Sequence, residues 1–180
     1  MYKFSKKSCQ KNPGQIQLKI KKPNWSALFF NYNFKYSFLP GQLNFMHCNL
    51  KILFAEDDIF NRMFTLDFLK AYEYDVITVS NGEDAVDACK NQHFDVIIMD
   101  ISMPKMTGVQ ASHMIRNDKS LNNNSETPII ALTSLDSESD IITFFEVGMN
   151  YYLRKPPDFF KLNKILSQIY ENLLGKGSSL

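Results

Sequence analysis

Four apolar runs in this chain of 180 residues end in side chains that could bind a cation or a phosphoryl group. The first run ends on Glu56 and Asp57, a later one over residues 96–99 ends on Asp100, and two more end near Thr133 and Lys155. Carboxylates bind hard dications, and a carboxylate can also accept a phosphoryl group. Hydroxyl and ammonium groups can donate to phosphoryl oxygens. Together these residues suit Mg²⁺-dependent phosphoryl transfer.

Each of these side chains also has an ordinary interpretation. Asp100 could cap the turn before Pro104, and Thr133 could be a simple strand-end hydroxyl. Lys155 could be a solvated base and Glu56 a surface acid. Four such residues at four strand ends are much less expected by chance than any one of them, so we favour a shared site.

The elements that must position these residues follow from hydrophobic periodicity. Short β-branched runs predict strands, and apolar residues spaced three or four apart predict helices. The expected strands cover residues 50–55, 74–79, 96–99, 127–132 and 151–153, and the expected helices cover residues 59–71, 83–91, 108–116, 137–147 and 158–174. This alternation predicts an α/β fold with a doubly wound parallel sheet of five strands.

Right-handed crossovers place the carboxyl ends of all parallel strands at one rim of such a sheet. The three acids would therefore meet there. Two unit charges about 4 Å apart repel by roughly 4 kcal/mol at an effective dielectric near 20. A bound Mg²⁺ would relieve this repulsion, so Mg²⁺ is the expected cofactor.

The helix predicted over residues 59–71 carries two apolar rows. Met63, Leu66 and Leu69 form one, and Phe60, Phe64 and Phe68 form the other at a spacing of four residues.

The first 48 residues differ from the rest of the chain. Residues 1–50 carry eight lysines and no acid, whereas residues 51–180 carry 12 basic and all 19 acidic residues, a net charge of −7. We predict a poorly ordered, basic and aromatic-rich extension over residues 1–48, a folded domain over residues 49–174 and a frayed tail over residues 175–180. The extension could contact a nucleic acid or a membrane surface, but we favour a solvated tail or a remnant of a neighbouring module.

The cysteines and the hydropathy bear on the cellular location. Cys9, Cys48 and Cys89 are few and widely spaced, which argues against a disulfide scaffold and predicts a reducing, cytoplasmic environment. The three histidines lack metal-ligand spacing. No run of about 18 apolar residues is present, so we expect no membrane span.

Five motifs resemble the receiver domain of response regulators in two-component phosphorelays, above all the receivers of hybrid histidine kinases. They are ILFAEDD at residues 52–58, NGEDA at 81–85, IMDISMP at 98–104, PIIALTS at 128–134 and YLRKP at 152–156. The resemblance covers residues 50 to about 174. It implies a flavodoxin-like sheet with strand order 2-1-3-4-5.

The resemblance also implies roles for the acids. Asp100 is then the phosphoacceptor, Asp57 a direct Mg²⁺ ligand and Glu56 a second acid that acts largely through water. The backbone carbonyl of Ser102 would complete the metal site. Asp58, one place past the acid pair, is not expected to be a ligand.

The remaining implied roles concern the phosphoryl group and the signal. Lys155 would pair with the phosphoryl group, and its bond to Pro156 is cis in the family. Thr133 would be the switch hydroxyl and Tyr152 the switch aromatic residue. They would change the shape of the face formed by helix 137–147, the fifth strand and helix 158–174.

The implied partner is a histidine kinase or a histidine phosphotransfer protein, and a weak homodimer is compatible with the family. We expect no nucleic acid at the receiver. Nothing resembles a kinase core, so we expect a signalling receiver and not an enzyme. Thr107 stands where the family usually has Asp.

Two alternative functions fit the sequence less well. A degenerate receiver that only binds partners is disfavoured by the intact acid pair and by Asp100, Thr133 and Lys155. A phosphohydrolase on a related fold would want an acid two residues after Asp100, where this chain has Ser102.

Overall fold

The computed structural model describes residues 50–118, 120–121, 124–134 and 137–177, with side chains up to residue 175. Five strands and five helices alternate along these residues. The strands are β1 (Lys51–Ala55), β2 (Asp75–Val79), β3 (Val96–Asp100), β4 (Ile129–Thr133) and β5 (Tyr151–Arg154). The helices are α1 (Ile59–Ala71), α2 (Gly82–Asn91), α3 (Gly108–Asn117), α4 (Glu138–Glu146) and α5 (Phe159–Gly177), and a short 3-10 helix covers Asn124–Glu126.

The strands form one parallel sheet in the order β2-β1-β3-β4-β5. This confirms the predicted fold class and strand order. β3 lies at the centre, and all five of its residues are buried, as expected for a strand covered on both faces. β2 is an edge strand and is only partly buried, apart from its exposed first residue.

Two apolar layers enclose the sheet. Alternate strand residues point to opposite faces, so Ile97 and Met99 belong to one core and Val96 and Ile98 to the other. The first core is completed by residues of α2, α3 and α4, and the second by residues of α1 and α5. Helices on both faces are what the doubly wound arrangement requires.

The helix ends follow local capping chemistry. Asn81, Thr107 and Ser137 cap α2, α3 and α4 through side-chain oxygens that accept backbone N–H bonds. Gly148, just past α4, has a φ of 86°, a left-handed conformation that glycine adopts without strain. α5 continues to Gly177, so residues 175–177, which we predicted to be frayed, are helical. The predicted extension over residues 1–48 lies outside the described residues.

The segment between α3 and β4 contains a buried polar anchor, Asn124. The Asn124 side chain accepts a bond from the Phe94 amide at 2.9 Å and donates to the carbonyls of Cys89 and Gln92 at 2.9 and 2.7 Å. These bonds tie the start of β3 to the end of α2. Over the stretches that the structure describes, none of the helices has both the length and the apolar character to span a bilayer.

Candidate functional site

Three carboxylates meet at the carboxyl-terminal rim of the sheet. β1 leads directly into Glu56 and Asp57, and β3 ends on Asp100. The register pairs Ala55 with Met99, which brings the two strand ends side by side. One ligand atom from each of the three acids lies within 4.8 Å of the others. Glu56 and Asp100 are 1% and 2% exposed, whereas Asp57 is exposed.

Lys155 brings a positive charge into this rim from the end of β5. Its Nζ lies 2.8 Å from Asp100 Oδ2 and 2.7 Å from Glu56 Oε2, and it donates to Glu56 Oε1 at 2.9 Å. The Lys155 amide donates to the carbonyl of Thr133 at 2.8 Å, which links the end of β5 to the end of β4. The Lys155–Pro156 peptide bond is cis, as the resemblance implied.

Burial changes the acid–base properties of these groups. Removal from water raises the pKa of Glu56, against the lowering effect of its hydrogen bond with Lys155. Burial likewise raises the pKa of Asp100, and the hydrogen bond from Lys155 opposes that rise. For Lys155, burial alone would lower the pKa, but the bonds to Asp100 and Glu56 outweigh it and the pKa is raised.

The chemistry of this cluster suits a hard dication. Three acidic side chains face a single lysine at the rim, so the acids outnumber the positive charge beside them. Glu56 Oε2 is buried and, although close to Lys155, has no partner in hydrogen-bond geometry. The angle of the Lys155 contact leaves this oxygen able to accept another donor, such as metal-bound water. Carboxylate oxygens are also the ligands that Mg²⁺ prefers, so these residues fit the predicted cofactor.

Asp58 has a different role from its two acidic neighbours. Its Oδ1 accepts the Asn61 amide at 2.8 Å and caps the first turn of α1. The acid cluster contains Glu56, Asp57 and Asp100 and does not include Asp58. That Asp58 is not a metal ligand stays a prediction.

The segment after β3 orients Asp100. The Ser102 amide donates to Asp100 Oδ1 at 3.1 Å, so the two carboxylate oxygens have different partners. Ser102 itself is exposed. The metal-binding role of its carbonyl stays a prediction.

Thr133 and Tyr152 lie where the switch roles would require, at the end of β4 and on β5. Thr133 is buried. The Tyr152 side chain is 39% exposed, and its ring packs edge-on against Phe145 of α4, with centroids 6.3 Å apart. The structure thus places both residues, and their switch roles stay predictions.

Two residues near the acid pair were missed by sequence reasoning. Arg62 Nη1 donates to the carbonyls of Glu56 at 2.6 Å and Asp57 at 3.2 Å. The Asn61 side chain lowers the pKa of Glu56, a small effect beside burial and Lys155. The only signal was their position in the first turn of the helix after the acids.

Thr107, which stands where the family usually has Asp, has a structural role at the start of α3. Its hydroxyl accepts the Gln110 amide at 3.3 Å, while the Gln110 side chain accepts the Thr107 amide at 3.0 Å. This reciprocal capping box starts α3. Thr107 therefore serves the helix and lies outside the acid cluster.

The family model of the response regulator receiver domain matches residues 52–167. The chain is 36% identical over 115 residues to the transcription factor SKN7 of Saccharomyces cerevisiae, covering 64% of this chain and 18% of SKN7. It thus spans less than a fifth of that relative.

Two solved structures share the fold. The receiver domain of the sensor histidine kinase PA1611 of Pseudomonas aeruginosa PAO1, with magnesium coordinated in its active-site cleft, is 32% identical with a TM-score of 0.63, covering 68% of this chain and 98% of that one. The second is a co-crystal structure of the Saccharomyces cerevisiae histidine phosphotransfer protein Ypd1 with the receiver domain of Ssk1. Its match is 26% identical with a TM-score of 0.60, covering 66% of this chain and 87% of that one. With its acids, lysine and strand order, the chain belongs to the response regulator receiver domain family.

Proposed function

We propose that this chain is a phosphoacceptor in a two-component phosphorelay and that Asp100 receives the phosphoryl group. The observation that carries the proposal is the contact of Asp100 with Lys155, 2.8 Å apart beside Glu56 and Asp57 at the strand ends. A lone capping aspartate would need neither the lysine nor the two neighbouring acids.

The transfer follows from the groups at the rim. A carboxylate oxygen of Asp100 attacks the phosphorus of a phosphohistidine, an O–P bond forms, and the N–P bond breaks. The electron pair of that bond stays on the departing imidazole, which takes a proton from solvent. Lys155 pairs with one phosphoryl oxygen, and the Thr133 hydroxyl donates a hydrogen bond to another. The Ser102 amide holds Asp100 Oδ1, which limits rotation of the carboxylate.

Mg²⁺ is the proposed cofactor, and Asp57, Asp100 and the Ser102 carbonyl would hold it, with Glu56 acting largely through water. When bound, the ion neutralises charge on the phosphoryl group and on the acids. The buried Glu56 Oε2, which is ion-paired with Lys155 but accepts no hydrogen bond of good geometry, supports this assignment.

The proposed phosphodonor is a histidine kinase or a histidine phosphotransfer protein, as in the Ypd1–Ssk1 complex. An apolar patch beside the acid pair supports docking of a protein there. Phe60 of α1 and Phe160 of α5 are 76% and 74% exposed, and Ile59, Met63 and Phe64 are also exposed. Such contiguous exposed apolar residues mark interaction surfaces.

The proposed output is a change in the face formed by α4, β5 and α5. Phosphorylation would draw the Thr133 hydroxyl toward the new phosphoryl oxygens, and the Tyr152 ring would turn into the space beside β4. The contact of Tyr152 with Phe145 supports this route because it connects β5 to α4. A phosphoryl group would thus bias a two-state element. We place this signalling role in the cytoplasm and assign the chain no kinase activity of its own.

Incubation with acetyl phosphate and Mg²⁺, followed by a phosphate-affinity gel, tests the assignment. We expect one phosphoryl group per chain, stable in acid and labile in alkali as an acyl phosphate is. Asp100→Asn should abolish the shifted band. Asp58→Asn is the matched control, since it removes a nearby carboxylate but keeps a good helix cap. Equal labelling of Asp100→Asn and the wild type would exclude Asp100 as the acceptor.

A further inference from the structure

Arg62 is a positively charged residue close to the acid site. It contacts the backbone carbonyl oxygens of Glu56 and Asp57, not their carboxylates. Its Nη1 donates to the carbonyl oxygens of Glu56 and Asp57 at 2.6 and 3.2 Å. Lys155, by contrast, binds the carboxylates of Glu56 and Asp100. The two cations therefore share Glu56, with Arg62 on its backbone carbonyl and Lys155 on its carboxylate.

The Arg62 side chain completes the anchoring of the loop that joins β1 to α1. The Glu56 amide donates a hydrogen bond to the carbonyl of Val79 in β2 at 3.1 Å. The carbonyl of Glu56 is held by Arg62. Arg62 is itself fixed in the first turn of α1, since its amide donates to the carbonyl of Asp58 at 2.9 Å. The loop is thereby held from the edge strand β2 and from α1.

We propose that Arg62 is a positioning residue for cation binding: by clamping the carbonyls of Glu56 and Asp57, it holds their carboxylates beside Asp100 before the cation arrives. This inference rests on the proposed Mg²⁺ site. A preorganised set of ligands binds more tightly because less loop freedom is lost on binding. A clamp on carbonyl oxygens achieves this without occupying the carboxylate oxygens.

The direction in which Mg²⁺ affinity changes when Arg62 is removed distinguishes a positioning role from a purely electrostatic one. If Arg62 acted only through its charge, removing it would strengthen Mg²⁺ binding, because a positive charge repels the cation. If Arg62 positions the loop, removing it weakens binding although the site becomes more negative. The two roles predict opposite changes.

The experiment compares Arg62→Met, Arg62→Lys and Lys70→Met in the full chain. Isothermal titration with Mg²⁺ alone gives the dissociation constant, and amide hydrogen exchange in EDTA reports on the metal-free loop. Lys70→Met is the matched control, because Lys70 is exposed on the same helix, about 12 Å further along it. Urea unfolding in EDTA shows whether each variant is folded.

We expect Arg62→Met to raise the Mg²⁺ dissociation constant about three- to tenfold, the loss expected when one ordinary hydrogen bond no longer positions the loop. Exchange of the Glu56 and Asn61 amides should become faster in the same variant. Arg62→Lys should bind with intermediate affinity, because an ammonium keeps the charge and can still donate to one carbonyl. Lys70→Met should match the wild type.

Unchanged or tighter Mg²⁺ binding by Arg62→Met would overturn the positioning role while leaving the metal site intact. If Arg62→Met does not fold, Arg62→Lys is the variant that tests the inference. Wild-type Mg²⁺ affinity together with wild-type amide exchange in Arg62→Lys would overturn it. A wild-type chain that binds no Mg²⁺ would contradict the proposed metal site as well as the role of Arg62. These outcomes keep the two proposals distinguishable.

Discussion

A Cβ atom added to Gly108 would lie 2.1 Å from the carbonyl oxygen of Asp100. The first residue of α3 therefore packs directly on the backbone at the end of β3. The Gly108 amide also donates to the carbonyl of Ile101 at 3.0 Å. This close approach fixes α3 against the strand that carries the proposed phosphoacceptor, and only glycine leaves room for it.

Gly108→Ala should destabilise the domain by about 1–3 kcal/mol, because backbone atoms that cannot rotate away must shift. Urea unfolding measures the change. Gly175→Ala is the control, since a Cβ there meets nothing within 4 Å and the residue lies in α5, where alanine is the better helix former. Equal unfolding free energies for the two variants would show that the approach of Gly108 to Asp100 is not tight in solution.

Mg²⁺ should raise the melting temperature by binding the folded state. Asp57→Ala should remove most of that rise. Asp58→Ala should lower the melting temperature with or without Mg²⁺, since losing a helix cap costs about 0.5–2 kcal/mol, but it should keep the Mg²⁺-dependent rise. Thermal melts in EDTA and in excess Mg²⁺ separate the two effects. Comparable loss of the rise in both variants would mean that the acid pair is assigned incorrectly.

The Cys89 thiol should be protected in the folded chain. Burial raises its pKa to about 12 from an ordinary 9.0, with a smaller opposing effect of Arg116. Only the thiolate reacts, so alkylation of Cys89 by iodoacetamide should be at least about a hundredfold slower in buffer than in urea. Mass spectrometry of the Cys89 peptide measures both rates, and similar rates would contradict the burial.

The raised pKa of Cys89 should also make the folded chain less stable in alkali. The unfolded chain releases the Cys89 proton near pH 9.0 and the folded chain only near pH 12, so the contribution of this thiol to stability falls as the pH rises above 9. Cys89→Ala should therefore lose less stability than the wild type between pH 8 and about 10. Parallel pH dependence of the two chains in urea titrations would exclude this contribution.

Thr133→Ala should separate phosphorylation from its structural consequence. With the phosphoryl mimic beryllofluoride, the wild type should show chemical-shift changes at Tyr152 and in α4, and the variant should lose most of them. Thr143→Ala is the matched control, because Thr143 lies exposed on α4 and its hydroxyl donates to the carbonyl of Ser139 within that helix. Identical responses of the wild type and Thr133→Ala would exclude the Thr133–Tyr152 route.

A chain that starts at Asn49 should fold and become phosphorylated at a similar rate to the full chain. Within the part of the chain that the structure describes, both cores are built from Leu50 onward, and the five strands of the sheet lie beyond that residue. Circular dichroism and acetyl phosphate labelling test this boundary. An insoluble or inactive product would place part of residues 1–48 in the domain.

Local patterns in the sequence determined the elements, with ends correct to within three residues. Short β-branched runs marked the five strands and period-3.6 hydrophobicity marked the five helices, because each element buries one face or both. The alternation then required parallel strands and a common rim, so Asp100 and Lys155 could be expected together although 55 positions separate them. This expectation needed no coordinates, since right-handed crossovers leave little choice of topology.

Tertiary structure alone decided how the residues at that rim share their contacts. Three consecutive acids look alike in the sequence, but the start of α1 makes Asp58 a cap while Glu56 turns inward to Lys155. The apolar rows of α1 look equally suited to burial, yet Leu69 is buried and Phe60 is exposed, because the sheet and α5 cover only one side of the helix. The clamp by Arg62 likewise depends on where the first turn of α1 directs that side chain. Such contacts depend on how the helices pack on the sheet, which local periodicity does not specify.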